Sequence, residues 1–538
     1  MSDRLAKSAG TIGAAVMTSR LFGLIRDQVM AYLFGTSTSQ DAFAIASRVP
    51  NLVRDLFAEG AMSAAFVPTF TRYLQREGKE AAFRLGNLVL NALLVVTLVL
   101  VVVGIIFARP ILMLLPEEFQ GAGGSDRLTL TVQLAQVIMP FLTLVAIAVA
   151  LGGMLNAMRH FFIPALSPAI FNVGVLFSAA AFYPLCISQG WDPIFAIAIG
   201  TLIGGIGQIV IQIPLLRREG FRYQPILDFK DPGVREILML VGPGTLGLAA
   251  AQVNVAVSTY LAAGEGQGAV SALSFAFRLM YLPIGLFGVS VATAALPDIS
   301  RYAASSDHDG MRRTISSSLR MMLMLSVPAS IGLMILAHPI VEFIFQRGEF
   351  GIDSTRDTAM ALLCYAPGLI GYSAVKIASP TFYAMHEPRT PVLVSIGSIA
   401  INLVISLLLI GPMGFPGLAL GTGIAALFNA GMLMWLLSSR IGGLEGSRVL
   451  QAFLKILVAS IVMGAAALVA EAWLDAYLPD FTGWATWLPA TLARTLRAGL
   501  RVTGGIGAGL IMLAAVASLL RLHEFTTVSA RVLGRLRR

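Results

Sequence analysis

Apolar stretches of about 20 residues recur along nearly the whole chain, and little else could constrain its fold as strongly. Each is long enough to cross a bilayer as a helix. Lipid then supplies the apolar surroundings, and helices rather than compact domains are the building units. By hydropathy the spans number about fourteen, at roughly 10–34, 41–70, 82–108, 128–156, 161–186, 192–216, 236–262, 270–298, 314–345, 355–384, 390–411, 415–438, 450–474 and 498–521. Composition agrees. Charged residues are 12% of the 538, against about 25% in soluble domains, and mean hydropathy is +0.80. The expected class is an all-α polytopic membrane protein.

The net charge of +9 is mostly a topology signal. Arg4 and Lys7, then Arg72, Arg76, Lys79 and Arg84, then Arg217, Arg218, Arg222, Lys230 and Arg235, then Arg312 and Arg313, then Arg531, Arg535, Arg537 and Arg538 fall on one side of a fourteen-span chain. The alternate loops, such as 35–40 and 263–268, are nearly free of Lys and Arg. The positive-inside rule puts both termini in the cytoplasm, and nucleic acid is not an expected partner. Cys186 and Cys364 sit in apolar stretches, and the five histidines are scattered. Neither a disulfide framework nor a metal motif follows, and no cofactor is called for. The first apolar stretch contains Arg20 and Arg26 and has no clean apolar core before a cleavage site, so it stays as helix 1.

The chain repeats itself with an offset of roughly 230 residues, as transporters do. Arg48 falls on Arg278, Pro68 on Pro297, and Arg72-Tyr73 on Arg301-Tyr302. Pro140 falls on Pro367, Ala157-Met158 on Ala384-Met385, Pro164 on Pro391, and AIGT at 198–201 on ALGT at 419–422. Six helices per repeat make the repeats parallel, with a central cavity expected between them. The expected organisation is an N-lobe over 1–216, a basic cytoplasmic linker over 217–235, a C-lobe over 236–440, and two further helices with a basic tail over 441–538. The linker has the charge of an amphipathic surface helix. Pro50, Pro283 and Pro367 lie within spans and invite kinks. The glycine runs near Gly204 and Gly504 have no strand before them and read as close helix packing, not nucleotide loops.

Helices 1 and 2 carry Arg20, Arg26, Asp27, Arg48 and Arg54 inside apolar sequence. A charge at bilayer depth costs roughly 2.5–3.5 kcal/mol on insertion scales, so these residues are expected to face a water-filled cavity rather than lipid. Arg20 and Asp27, seven apart, share a helix face, while Arg26 points about 100° away from Asp27. Arg48 and Asp55 share a face as well, and their spacing fits mutual neutralisation as well as ligand binding. Arg20, Arg26, Arg54 and Arg278 outnumber the nearby acids. Guanidinium groups grip phosphate oxygens two at a time and keep their charge when desolvated, so the cavity suits an anionic phosphate or pyrophosphate. Lys376 is a second intramembrane cation, in a position equally open to snorkelling. Asp41, after TSTSQ, fits a helix cap as well as a gate contact.

Several blocks resemble the MurJ (MviN) family of lipid II flippases, within the multidrug/oligosaccharidyl-lipid/polysaccharide exporter superfamily. They are SRLFGLIRD at 19–27, TSTSQDAF at 36–43, PNLVRDLFAEGAMSAAFVP at 50–68, FRLMYLPIGLFGV at 277–289, LPDIS at 296–300 and LIGYSAVKIASPTFYA at 369–384. The resemblance implies two six-helix lobes around a cationic cavity, with helices 13 and 14 forming a groove for a lipid tail. It implies lipid II as substrate, with Arg20, Arg26, Arg54 and Arg278 as headgroup residues. Asp41 matches an acidic gate position, Ser19 and Asp27 flank the arginines, and Arg48 stands where the family often has lysine. Where some members have an acid three residues after the helix 8 arginine, this chain has Tyr281. The implied location is the bacterial cytoplasmic membrane, with membrane lipids and other cell-wall synthesis proteins as partners and the coupling ion left open. Rival readings are a flippase for another polyprenyl-linked saccharide, a polytopic membrane enzyme, and a non-transporting cell-wall scaffold. The loops lack the carboxylate or histidine constellation an enzyme would need, and buried arginines are an expensive feature for a scaffold.

Overall fold

The computed structural model describes residues 2–48, 50–51, 62–120, 125–479 and 490–526. Among these every regular element is helical. They form two compact units, Met1–Ser271 and Ala272–Arg538.

Unit 1 contains α1 (Ser2–Phe34), α2 (Thr38–Ala46), α3 (Met62–Arg76), α4 (Gly78–Leu112), the single turn α5 (Glu117–Gln120), α6 (Ser125–Ile138), α7 (Phe141–Ala157), α8 (Phe162–Ser188), α9 (Phe195–Val210), α10 (Ile213–Arg218) and α11 (Pro232–Ala263). Then α12 (Ala269–Pro283) leads through a π turn (Ile284–Gly288) into α13 (Val289–Ala304). Unit 2 continues with α14 (His308–Ile335), α15 (Ala337–Phe345), α16 (Ile352–Tyr365), α17 (Gly368–Ala384), α18 (Arg389–Met413), α19 (Phe415–Arg440), α20 (Gly446–Tyr477) and α21 (Ala490–Leu519).

Ten helical stretches among the described residues are long and apolar enough to cross a membrane. The count becomes eleven if α16 and α17, bent by 46°, form one broken span. The ten do not include α1–α3 or α11, where hydropathy places the first, second and seventh spans, so among the described residues ten to eleven of the fourteen expected spans meet this test of length and hydropathy.

The repeat reappears as local geometry inside each unit. Pro140 stands at the start of α7 and Pro367 at the start of α17, since proline lacks the N–H that would continue the preceding helix. Both helices end on the Ala-Met pair, followed by a left-handed residue, Arg159 at φ 64° and His386 at φ 59°. Thr201 and Thr422, matched in the AIGT and ALGT runs, each donate the side-chain hydroxyl to the carbonyl four residues back. Pro283, expected to kink its span, precedes the π turn.

Helices α8 and α9 cross backbone to backbone. A β-carbon on Gly204 would lie 2.6 Å from the Phe171 carbonyl oxygen, and one on Gly174 would lie 2.6 Å from the Gly204 α-carbon. The glycine run near Gly204 is therefore a helix crossing. Gly204→Val is expected to force the two helices apart and to cost about 1–3 kcal/mol, read as a lowered melting temperature of the purified protein.

The segment read as an amphipathic surface helix is instead mostly extended. Only α10 at its start and the first turn of α11 at its end are helical, and residues 221–228 run as a strap along α4. Two asparagines one turn apart, in the mostly apolar stretch of that helix, hold it. Asn87 Nδ2 donates to the Arg222 carbonyl (3.0 Å), and the Gln224 amide donates to Asn87 Oδ1 (3.1 Å). Asn91 Nδ2 donates to the carbonyls of Gln224 (2.7 Å) and Ile226 (2.9 Å), while the Tyr223 hydroxyl donates to Asn91 Oδ1 (2.6 Å). The side-chain amides take the place of a neighbouring strand, satisfying backbone groups that a helix would have satisfied internally. Lys79 beside Glu219, with His160 on its other oxygen, holds that carboxyl below the usual range and pins the start of the strap. At the far end Asp231 accepts from the Gly233 and Val234 amides and starts α11, which Arg72 grips through a two-pronged pair with Glu236. Asn91→Leu leaves three hydrogen-bonding groups without this partner, the Gln224 and Ile226 carbonyls and the Tyr223 hydroxyl. It is expected to raise amide hydrogen exchange across 222–226 at least tenfold while the spans stay protected.

In unit 2, α20 and α21 are fastened by charge. Arg501 reaches Glu471 and Asp475 (3.2 Å) on α20 and Glu342 (3.3 Å) on α15. The glycine run near Gly504 faces Leu474 of α20, again a packing contact.

Candidate functional site

In unit 1, α1 packs along α8, where Asn172 Nδ2 donates to the Ser19 carbonyl (3.4 Å). That packing sets the rotation of α1 and leaves Arg20 exposed, Ser19 and Arg26 half-buried and Asp27 buried. The sequence geometry directed Arg26 away from Asp27; the structure pairs them. Arg26 Nε and Nη2 both donate to Asp27 Oδ1, at 3.2 and 2.9 Å. Adjacent Cα–Cβ bonds diverge on a helix, but an arginine stem is long enough to fold back, and a buried carboxylate costs several kcal/mol without a partner. Of the five N–H groups of a guanidinium, the pair uses two, so Arg26 keeps donors for a second anion. Arg48 lies half-buried just beyond α2. Arg54, with Asp55 and Glu59, lies outside the described residues.

The TSTSQD run divides its polar groups among distinct tasks. Ser37 caps α2, its oxygen accepting from the Gln40 amide (3.3 Å). The Ser39 hydroxyl donates to Asp192 (2.6 Å). Asp41 does not cap its own helix. It is fully buried and accepts from Arg127 (2.8 Å), from the amides of Gly268 (2.7 Å) and Ser271 (2.9 Å), and from the Ser271 hydroxyl. It thus caps the start of α12, the helix that carries Arg278 seven residues beyond Ser271. Gly268 is left-handed, at φ 87°, and a β-carbon there would lie 2.8 Å from the Thr36 carbonyl oxygen, so only glycine suits this turn. Arg127 also stacks on Phe119, 4.0 Å from the ring centre. Sequence reasoning missed Arg127. Its signal was a cation in a set of loops otherwise poor in Lys and Arg.

In unit 2, Arg278 is exposed on α12. Its neighbour Phe277 turns into an aromatic cluster with Tyr281 (5.9 Å between ring centres, stacked), Tyr365 of α16 (5.5 Å) and Tyr372 of α17 (6.1 Å). The cluster ties α12 to both halves of the bent pair. Tyr281, one turn beyond Arg278, stacks on Phe277 and supplies no negative charge. Lys376 is exposed on α17, one turn beyond Tyr372, and makes no hydrogen bond or ion pair among the described residues.

Helices of this length, with cations inside apolar sequence, define a polytopic transport protein. Solved structures share its fold. A lipid II flippase MurJ in an inward closed conformation matches with a TM-score of 0.73 at 24% identity, covering 95% of this chain and 99% of that one. An inward-facing multidrug resistance MATE family transporter of the MOP superfamily matches with a TM-score of 0.66 at 16% identity, covering 81% and 99%. The family model described as lipid II flippase MurJ matches residues 30–485, and the chain belongs to that family. Curated relatives include a probable lipid II flippase MurJ of Vibrio cholerae, 31% identical over 80% of this chain and 83% of its own length. The lipid II flippase MurJ of Burkholderia cenocepacia is 31% identical over 79% and 82%. The family is one of transporters rather than enzymes, and the chain is a multi-pass inner-membrane protein.

Proposed function

We propose that this chain moves lipid II, the undecaprenyl-pyrophosphate-linked peptidoglycan precursor, from the cytoplasmic to the periplasmic leaflet by alternating access. The observation that carries the reading is the family match over 30–485. The cations support it: Arg20 and Arg26 on unit 1 and Arg278 on unit 2 offer donors of the geometry that phosphate oxygens need, and Arg54 is assigned with them by its sequence motif. Ser19, Asp27, Arg48 and Lys376 are the secondary candidates, and Asp41 is the gate candidate. The pyrophosphate competes with Asp27 for Arg26 and neutralises cations whose mutual approach in a dry closure is costly. A cavity of about 510 Å³ at α20 and α21, walled by Val462, Ala466, Val469, Trp473 and Met512, suits the polyprenyl tail.

The step breaks no covalent bond and needs no cofactor or metal. Its drive is an ion gradient, the membrane potential or downstream consumption, a moved charge being worth about 2.3 kcal/mol per 100 mV. Both termini are cytoplasmic in this reading, and other cell-wall synthesis proteins are partners.

Binding decides the substrate. Purified protein is offered lipid II and, separately, an undecaprenyl pyrophosphate carrying a different saccharide, and the two affinities are compared. Preference for lipid II supports the reading. Equal affinity, or preference for the other glycolipid, moves the substrate to another polyprenyl-linked saccharide. Absence of binding to either favours the scaffold.

A further inference from the structure

Unit 1 holds a second amphipathic site, built from elements that carry none of the headgroup candidates. A cavity of about 700 Å³ opens between α4, α7, α9, α10 and the strap. Its walls are apolar, formed by Leu90, Leu94, Ile147, Leu151, Ile209 and Ile213. At its polar end stand Arg217 and Arg222. Both are exposed, and neither guanidinium donates a hydrogen bond to any described residue. The acid between them in sequence, Glu219, is engaged elsewhere by Lys79 and His160, each at 2.9 Å. Other arginines, such as Arg72 and Arg320, have carboxylate partners.

The asparagine clamp gives this end its shape. Because Asn87 and Asn91 fix the backbone of 222–226, Arg222 and Tyr223 stand at the cavity mouth on an anchored segment. Apolar walls inside a membrane span, ending at two cations at the level where the span stops, match the two ends of a charged lipid.

We propose that this cavity seats one anionic phospholipid, an acyl chain along the apolar walls and the phosphate at Arg217 and Arg222. Such a lipid completes the lipid-facing surface of unit 1 where the strap replaces a helix. The inference is independent of which lipid-linked saccharide the protein transports.

The full-length protein, purified in mild detergent and stripped of lipid, is titrated with phosphatidylglycerol or with phosphatidylcholine of the same chains, and bound lipid is counted by native mass spectrometry. Wild type is expected to retain one phosphatidylglycerol with roughly tenfold or greater preference, since each basic residue near a headgroup adds several-fold. Arg217→Ser with Arg222→Ser, both at exposed positions, removes the preference. Leu94→Trp, at a half-exposed wall, blocks the adduct with either lipid; a wild-type melting profile shows that the fold is kept. Retention of the preference in the double variant, or of the adduct in Leu94→Trp, overturns the proposal. Displacement by inorganic pyrophosphate without dependence on Leu94 also overturns it, in favour of a plain anion site. Stronger binding of undecaprenyl phosphate than of phosphatidylglycerol overturns it too, assigning the cavity to the transported lipid.

Discussion

Replacing Asp41 by alanine is expected to lower the stability of the protein by ~3–5 kcal/mol, the cost of stranding one partner of a buried ion pair. The carboxylate has no exposed surface and collects four hydrogen bonds, one from a guanidinium and three from the start of α12. Removing it leaves Arg127 with a largely buried charge and the Gly268 and Ser271 amides without an acceptor. Asparagine keeps the volume but turns an amide NH₂ toward groups that are themselves donors, so Asp41→Asn is expected to be nearly as severe. Arg127→Met in the Asp41→Ala background relieves part of the loss, because the stranded charge goes with it; a double-mutant cycle on melting temperatures isolates the pair. Wild-type melting of both single variants would contradict this account of Asp41.

Arg278→Ala and Arg26→Ala are expected to abolish support of growth in cells that depend on this protein with membrane abundance near wild type; the melting temperature stays near wild type for Arg278→Ala and falls for Arg26→Ala, which removes a cationic partner of the buried Asp27 carboxylate. Each removes charge-assisted hydrogen bonds worth about 1.5–3 kcal/mol apiece, so headgroup affinity falls roughly 10- to 100-fold per residue. Arg278→Lys recovers part of the loss, since an ammonium keeps the charge without the two-pronged grip. Tyr281→Glu puts an acid one turn from Arg278 on the same face and is expected to weaken binding in proportion to the pairing it creates. Arg26 has a second arm: Asp27→Asn frees its guanidinium, so headgroup affinity rises while release slows.

Much of this was legible in one dimension. The spans follow from apolar runs, and the proline and left-handed positions recur at 140 and 367 and at 159 and 386 because the repeat was written in the residues themselves. The arginines announced themselves by being expensive where they stand. What stayed hidden was partnership over distance. Asp41 takes its ligands from 86 and 230 positions away, and no local spacing points to them. The strap was hidden for a similar reason: its basic residues suit a surface helix, and only the two asparagines on α4 make an extended backbone affordable. Arg26 defeated a helical-wheel argument because side-chain reach exceeds the separation of neighbouring Cα–Cβ directions.

The central claim is that this chain carries an anionic lipid-linked headgroup across the bilayer on its intramembrane arginines. The most direct measurement reconstitutes wild type, Arg26→Ala and Arg278→Ala into lipid vesicles loaded with lipid II in one leaflet, and follows headgroup access from the other side. The account predicts transfer by wild type and transfer at the protein-free rate by both variants. Transfer by the variants at the wild-type rate, or none by a wild type that binds lipid II, would contradict it.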